Sequence, residues 1–511
     1  MNINNKIKKI DFITIFIISI IILLLIILNS LSYKKSTNNI KSKEDARHSE
    51  ISVMTGSSAE NAARQLFPDA AIKTFNLNSD SLYAVETGNV KYGMALEYAI
   101  LDYNKKRSGG LEIVGDPLYE SFTGIFFARS EKNKAILPLF NEFVEDLRTS
   151  GKLEKLDDKW FKETEEINNF DLDNLDNKNG TIICAIDAAY PPYTYIYNNG
   201  PVGFDTEIVY EFCKKYGYGL DIKPVDFNGM LTGVKAGKFD IGAGGNTITE
   251  ERKKSVDFSV PLRKNRMCLY TKAEKSATLG SGNFINEFKD SFHKTFIVED
   301  RYKLFIEGLC STLFMSASAI ILGTLLSFII CLLRLSGSVI LNKICNIYVS
   351  ILQGVPILVV LLLFYYIIFR SSTIKGEIIA TIAFALNFSA YVSEMLMTSI
   401  KSIDKGQWEA AFALGFGYWT TFFKFILRQA LVSTIPVYKG EVISLIKSTS
   451  IVGYIAVQDL TKMSDIVRSR TFEPFIPILS VALVYYIFSF IISNILSVVL
   501  FKVDRVKKAI K

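Results

Sequence analysis

The chain has 511 residues, of which 49% are hydrophobic and 21% charged, and a mean hydropathy of +0.25. These values exclude a wholly soluble enzyme and a disordered or fibrous chain. Most charge lies between Lys34 and Arg301, with the long apolar runs before Asn29 or after Leu304, so the pattern is that of a membrane protein with a large polar insert. The net charge of +7 gathers at Lys6–Lys9, Lys34–Lys43 and Lys502–Lys511, beside apolar runs, where basic residues mark membrane orientation rather than nucleic-acid binding.

Phe12–Leu31 is apolar, follows Lys6, Lys8 and Lys9, and precedes neither a small-residue cleavage site nor a lipid-acceptor cysteine. An uncleaved transmembrane anchor over 11–32 is expected, with 1–10 as a cytoplasmic N-terminus. Residues 51–167 alternate short strands (Ile51–Met54, Tyr92–Leu96, Ile125–Phe127) with helical stretches (Ala59–Leu66, Leu82–Val85, Ile136–Thr149). The Asn/Asp-rich stretch 168–180 reads as a linker. A second α/β segment over 181–272 has strands at Ile182–Ile186, Gly219–Pro224 and Phe239–Ala243, and helices at Asp205–Tyr216 and Gly229–Ala236. Residues 273–300, with the small-residue run Ser276–Ser281, read as another linker.

Apolar spans follow near 306–332, 347–369, 377–399, 430–457 and 475–501, long enough to cross a bilayer. Lys439, Glu441 and Lys447 interrupt the fourth, as expected of a helix facing a bundle interior or a pathway. Five spans set the basic tail opposite the insert, which favours a cytoplasmic tail and an extracytoplasmic insert. Two histidines, His48 and His293, argue against a histidine-based metal site. The six cysteines, 184, 213, 268, 310, 331 and 345, lack CxxC spacing, and whether the first three include a disulfide stays open. No G-x-x-x-x-G-K-[ST] phosphate loop occurs, so ATP hydrolysis by that route is excluded, and no metal or cofactor is expected.

Between the third and fourth spans, within 401–428, the chain reads Gly406-Gln407-Trp408-Glu409-Ala410-Ala411, then Gly415 and Ile426-Leu427. With Gln353-Gly354-Val355-Pro356, Ala390–Glu394 and Ile443–Ser450, this resembles the permeases of polar amino-acid ABC importers over roughly 300–505. The resemblance implies an all-α type I permease domain (301–505) of about five transmembrane helices, pairing as a homodimer. It also implies a cytoplasmic EAA-type loop (401–428) whose Glu409, Ala410, Ala411 and Gly415 dock a separate ATPase subunit. Arg428 stands where that family usually has proline.

The insert is similar to a bilobed amino-acid-type (family 3) solute-binding domain with its lobes reordered. Residues 181–272 resemble the first lobe (lobe I) through Asp187–Tyr193, Gly203-Phe204-Asp205, Phe239–Gly242, Thr247–Arg252 and Phe258–Pro261. Residues 51–167 resemble the second (lobe II) plus the returning C-terminal helices, from Val53–Glu60 to Leu153–Trp160. The order implies either one circularly permuted clamshell or a tandem pair that has lost its middle.

A free amino acid needs an anion clamp and an acid. Arg252 is the expected carboxylate partner, because a guanidinium binds carboxylate as a bidentate fork. By resemblance Gly245 and Thr247 add an N–H and a hydroxyl, and Ser57 and Ser58 close from the other lobe at a helix N-terminus. Tyr190 and Tyr193 are expected to cover the ligand, and Asp187 to reach a polar side chain. The family's ammonium-binding aspartate falls at Leu96 here, so Glu97 is the expected substitute, on condition that the strand has ended or bulges. The resulting expectation is a binding and translocation subunit of an ATP-driven amino-acid importer in the cell membrane. The alternatives are a membrane receptor or channel, and a permease whose fused binding domain is degenerate. No enzyme signature is present.

Overall fold

The alternation of buried positions along short strands builds two sheets, and the chain passes between them twice. A computed structural model describes residues 41–107, 110–162, 166–198, 200–273, 284–370, 372 and 374–510. The expected anchor and N-terminal segment lie outside these residues, as does most of the 273–300 linker's first half. Lobe II is a sheet of β1 (Glu50–Met54), β2 (Ala71–Phe75), β3 (Tyr92–Leu96), β4 (Leu111–Ile113) and β5 (Tyr119–Thr123), completed by a strand from far along the chain, Arg263–Lys272. Lobe I holds β6 (Phe126–Phe127), β7 (Thr181–Asp187), β11 (Gly219–Val225), β12 (Ile241–Ala243) and β13 (Asp257–Phe258), in the order β11-β7-β12-β6-β13. A small sheet beside it joins β8 (Ala189–Tyr190), β9 (Thr194–Tyr197) and β10 (Gly200–Val202). The long strand Arg263–Lys272 is β14; it pairs antiparallel with β3, β4 and β5.

The lobes therefore exchange strands: β6 comes from the first segment but pairs with β12 and β13 of the second, and β14 returns the favour in lobe II. The crossings run side by side, at Gly124-Ile125 and at Ser259–Leu262. The Ser259 N–H donates to Ile125 O at 2.9 Å and the Leu262 N–H to Thr123 O at 2.8 Å. Two antiparallel linkers joined by so few hydrogen bonds make a hinge. Helix Glu131–Thr149 buries Ile136, Phe140, Phe143, Val144 and Leu147, one stripe at helical spacing, in the lobe I core. The 168–180 stretch is irregular but rests Phe170, Leu172 and Leu175 against that same core.

Among the described residues, three helices are long and apolar enough to cross a membrane, Tyr302–Leu335, Gly376–Lys401 and Phe475–Val498. Two bent pairs raise the number to as many as five. Val339–Gly354 and Ile357–Ile368 meet at 107°, so the second expected span starts earlier and is broken. The cause is Pro356, which supplies no N–H and holds Val355 in an extended conformation. Tyr418–Ile455 and Leu460–Thr471 meet at 54°, beside Ala456 at φ 62°. Small residues let the helices approach: a Cβ on Gly323 would stand 2.8 Å from Ala385 O.

Both lobes rest on helix Leu460–Thr471. Lys462 pairs with Asp226 of lobe I, and Arg468 with Asp80 of lobe II. Arg107 of lobe II donates to Phe472 O at 3.0 Å, and Lys238 of lobe I to Phe369 O at 2.7 Å.

The packing of β14 on β3 is tight enough to test. A Cβ on Gly93 would stand 2.1 Å from Tyr270 Cζ, on a fully buried ring. Gly93→Ala is expected to destabilise the domain by about 1–3 kcal/mol, read as a lower thermal midpoint by circular dichroism. An unchanged midpoint would contradict this strand pairing.

Candidate functional site

A cavity of about 30 Å³ closes between the lobes, walled by Ser57, Ser58, Tyr190, Gly245, Thr247 and Arg252 together with Met54, Leu96, Phe227 and Met267. Six of the nine expected binding residues thus meet at one place. Local chemistry puts them there. Ser57 caps helix Ser58–Leu66 by accepting from the Glu60 N–H, while Glu60 accepts from the Gly56 N–H at 2.7 Å. Gly245, at φ 64°, turns the loop after β12 so that Thr247 faces lobe II. Thr249 caps the short helix Glu250–Lys253 that carries Arg252.

Arg252 ties the lobes together. Its Nη1 donates to Thr247 O in its own lobe and its Nη2 to Gly56 O in the other, both at 3.0 Å. It is 7% exposed, lies 5.3 Å from the Phe227 ring centroid and forms no ion pair among the described residues. Burial pushes its pKa down, against the pull of nearby Glu251. The hydroxyls of Ser58 and Thr247 meet across the cleft at 2.9 Å, and Asn61 Nδ2 donates to Glu251 Oε2 at 3.1 Å on the rim. A cavity this small admits a solute only when the hinge opens.

Three expected residues lie elsewhere. Tyr193 sits one layer behind Tyr190, ring on ring at 5.8 Å, and donates to Asn265 Oδ1 at 2.9 Å. The Tyr190 hydroxyl is pushed up to about 12 by burial. Glu97 is turned out of the cleft. The strand does end at Leu96, as the substitution required, but Glu97 then opens helix Glu97–Arg107 and accepts from Arg266 Nε of β14 at 2.6 Å. Asp187 lines a different cavity of about 220 Å³ with Asp226, Asn228, Lys462 and Asp465, where lobe I, Thr55 and Asn76 of lobe II and the helical half meet. Burial pushes its carboxyl up to about 6.

The sequence reading missed this chamber and its place in a series. Phe227 stands in the walls of both the cleft and the chamber. Ser450 borders the chamber, and Ser448 borders a third cavity of about 400 Å³ among the helices, lined by Gln353, Pro356, Asn387, Tyr391, Glu441 and Ser444. Glu441 was the legible signal, a charge inside an apolar span. Lys439 instead donates to Ser497 Oγ at 2.8 Å, and Lys447 is exposed. All six cysteines are free, and no group of metal-ligating side chains occurs among the described residues.

At the far end of the bundle, helix Lys405–Ala413 starts at Asp404, whose carboxylate accepts from the Gly406 N–H at 2.6 Å. Glu409 and Ala410 are exposed, Ala411 is buried, and Gly415 takes φ 82°. Leu414 is 76% exposed beside exposed Phe412 and Trp419, an apolar surface of the kind that seats a partner.

A hinged two-lobed α/β domain seated on a bundle of long apolar helices defines a membrane transport protein with its own solute-binding domain. The chain belongs to the bacterial extracellular solute-binding proteins, family 3, whose model matches residues 182–450, and with its helical region to the permeases of amino-acid ABC transporters. The "Putative glutamine transport system permease protein GlnP" of Rickettsia typhi is 36% identical over 196 residues, 38% of this chain and 90% of that protein. The L-cystine transport system permease protein TcyB of Bacillus subtilis is 34% identical over 39% of this chain and 86% of its own length. A solved amino acid ABC transporter with histidines is 30% identical, covering 43% of this chain and 99% of that one, with a TM-score of 0.38.

Asp205 offers a pH test of the loop that shapes the cleft. Its buried carboxylate accepts from the N–H groups of Gly244 and Gly245 at 2.9 and 2.8 Å, yet burial outweighs them and pushes its pKa up to about 6. The folded state then binds more protons than the unfolded one between about pH 4 and 6, so this contribution to stability falls as pH rises through that window. It amounts to about 3 kcal/mol at most. Asp205→Asn, which keeps an oxygen acceptor, is expected to flatten the thermal midpoint between those pH values; an unchanged slope would contradict the assignment.

Proposed function

We propose that the chain is the substrate-binding and translocation subunit of an ATP-driven importer for a polar amino acid or a close relative of one. The observation that carries this reading is the succession of cleft, chamber and bundle cavity, with both lobes seated on helix Leu460–Thr471. The hinge closes lobe I on lobe II around the solute, with Arg252 holding its carboxylate and Ser57, Ser58, Gly245, Thr247 and Tyr190 completing the site. Opening then passes the solute through the chamber toward Glu441. Asp187 acts in the chamber rather than the cleft.

The strand exchange at the hinge supports one permuted clamshell formed within a single chain over 51–272, rather than two remnants. In this reading an anchor over 11–32 and five spans in 301–505 cross the cell membrane, with the clamshell outside and the 401–428 loop and tail inside. The exposed helix bearing Glu409, Ala410 and Ala411, turned at Gly415, docks a separate ATPase subunit, and the helical half pairs with a second copy. A receptor or channel reading is less well supported, because that exposed apolar docking helix has no use in either.

Two variants separate the halves of this mechanism in proteoliposomes holding the chain and its ATPase. Glu409→Lys is expected to cut uptake to below about a tenth of its value while leaving solute binding intact. Arg252→Ala is expected to abolish solute binding and leave basal ATP hydrolysis. Full uptake with Glu409→Lys would remove the docking role from this helix.

A further inference from the structure

We propose that the chain carries a second site, for a phosphate group, in the open cavity of about 600 Å³ where both lobes meet the helical half. The phosphate is that of an anionic lipid headgroup or of a free phosphate anion. The proposal stands apart from the question of which solute the cleft holds.

The cavity lies behind the cleft. Tyr98 of its wall packs edge-on against Tyr190 of the cleft wall, with ring centroids 6.3 Å apart, so aromatic rings separate the two spaces. Nine basic and four acidic side chains line it. Three of the acids are matched one to one: Glu97 pairs with Arg266, Asp102 with Lys106 and Asp157 with Arg263. The fourth, Glu299, serves two cations of the helical half. Arg301 Nη2 donates to its Oε1 at 2.9 Å, and Arg470 Nη2 donates to its Oε2.

Both of these arginines are 8% exposed, so one positive charge is left over where water is scarce. Arg470 also lies over the rings of Tyr195 and Tyr197, at 5.5 and 5.3 Å from their centroids. The Arg301 Nε is buried with no hydrogen-bond acceptor among the described residues. The loop that holds the group is strained, with Glu299 and Asp300 at φ 58° and 52°, left-handed at two successive residues that are not glycine.

A phosphate fits this surplus. It offers one guanidinium the two oxygens of a bidentate fork and keeps a further oxygen for a second cation, whereas both oxygens of Glu299 are already taken. Lys105 and Arg266 add positive charge from lobe II. Arg301 directly precedes helix Tyr302–Leu335, whose Ile306 and Phe314 are exposed on one face. In the membrane reading above, that sets the cavity at the level of lipid headgroups.

The test is the thermal midpoint of the purified full chain in maltoside micelles, titrated with pyrophosphate, phosphatidylglycerol or phosphatidylcholine, with ionic strength held constant by chloride. Pyrophosphate or phosphatidylglycerol should raise the midpoint saturably, and the arm that does so names the source of the phosphate. Arg470→Gln should raise the half-saturating concentration about tenfold, and Glu299→Gln, which removes the competing carboxylate, should lower it about tenfold. A Glu299 that only staples the two arginines together would instead lower the midpoint on substitution and tighten nothing. Lys105→Gln, at an exposed position, should raise the half-saturating concentration about threefold and carries the test where Arg470→Gln fails to fold. The proposal is overturned if neither anion raises the midpoint beyond chloride and phosphatidylcholine, or if all three variants leave the response unchanged.

Discussion

One buried guanidinium organises the outer half of this protein. Arg252 sits in a closing seam between two lobes, hydrogen-bonded to a carbonyl on each side and over the Phe227 ring, and makes no ion pair among the described residues. A buried unpaired cation of this kind costs several kcal/mol, only partly recovered through neutral acceptors. In the proposed reading, an anionic solute that pairs with it makes closure more favourable, so that binding and lobe closure become one event. The Ser58–Thr247 contact and the hinge at Gly124 and Ser259 let that event occur without disturbing either core.

The path of the chain makes the two lobes mutually dependent. A two-residue strand, β6, bridges β12 and β13 in lobe I although its segment otherwise builds lobe II, and β14 fills the middle of the lobe II sheet from the opposite direction. Neither segment can complete its sheet alone. Docking uses the same logic at a larger scale, because helix Leu460–Thr471 pairs with Asp226 on one lobe and Asp80 on the other. Lys238 of lobe I reaches the bundle at a second place, Phe369 O.

What the sequence disclosed followed the physics of each signal. The long apolar helices were legible because hydrocarbon demands long apolar runs, but the second span was expected unbroken over 347–369, and its bend at Pro356 was not foreseen. The cleft residues were legible because caps and glycine turns act locally: Ser57, Gly245 and Thr249 fix their neighbours without reference to the rest of the chain. Glu97 shows where local reasoning ends. Its backbone is placed as anticipated, at the end of a strand, but Arg266 on a strand roughly 170 residues later takes the carboxylate. Asp187 was redirected in the same way, by Lys462 of the helical half drawing its neighbour Asp226 into a shared chamber. Strand β6 was expected within Ile125–Phe127, but its pairing with β12 and β13 of the other lobe is non-local and left no mark in the local pattern.

The central claim is that both lobes of one chain close on each other to make the site. Ser58→Cys with Thr247→Cys, in a Cys310→Ser background that removes the exposed native thiol, replaces two hydroxyls 2.9 Å apart across the cleft. Mild oxidation is expected to link the pair within a single chain, giving a fast-migrating monomer on denaturing gels and a block of solute binding that reductant lifts. A disulfide-linked dimer, or no crosslink at all, would contradict it.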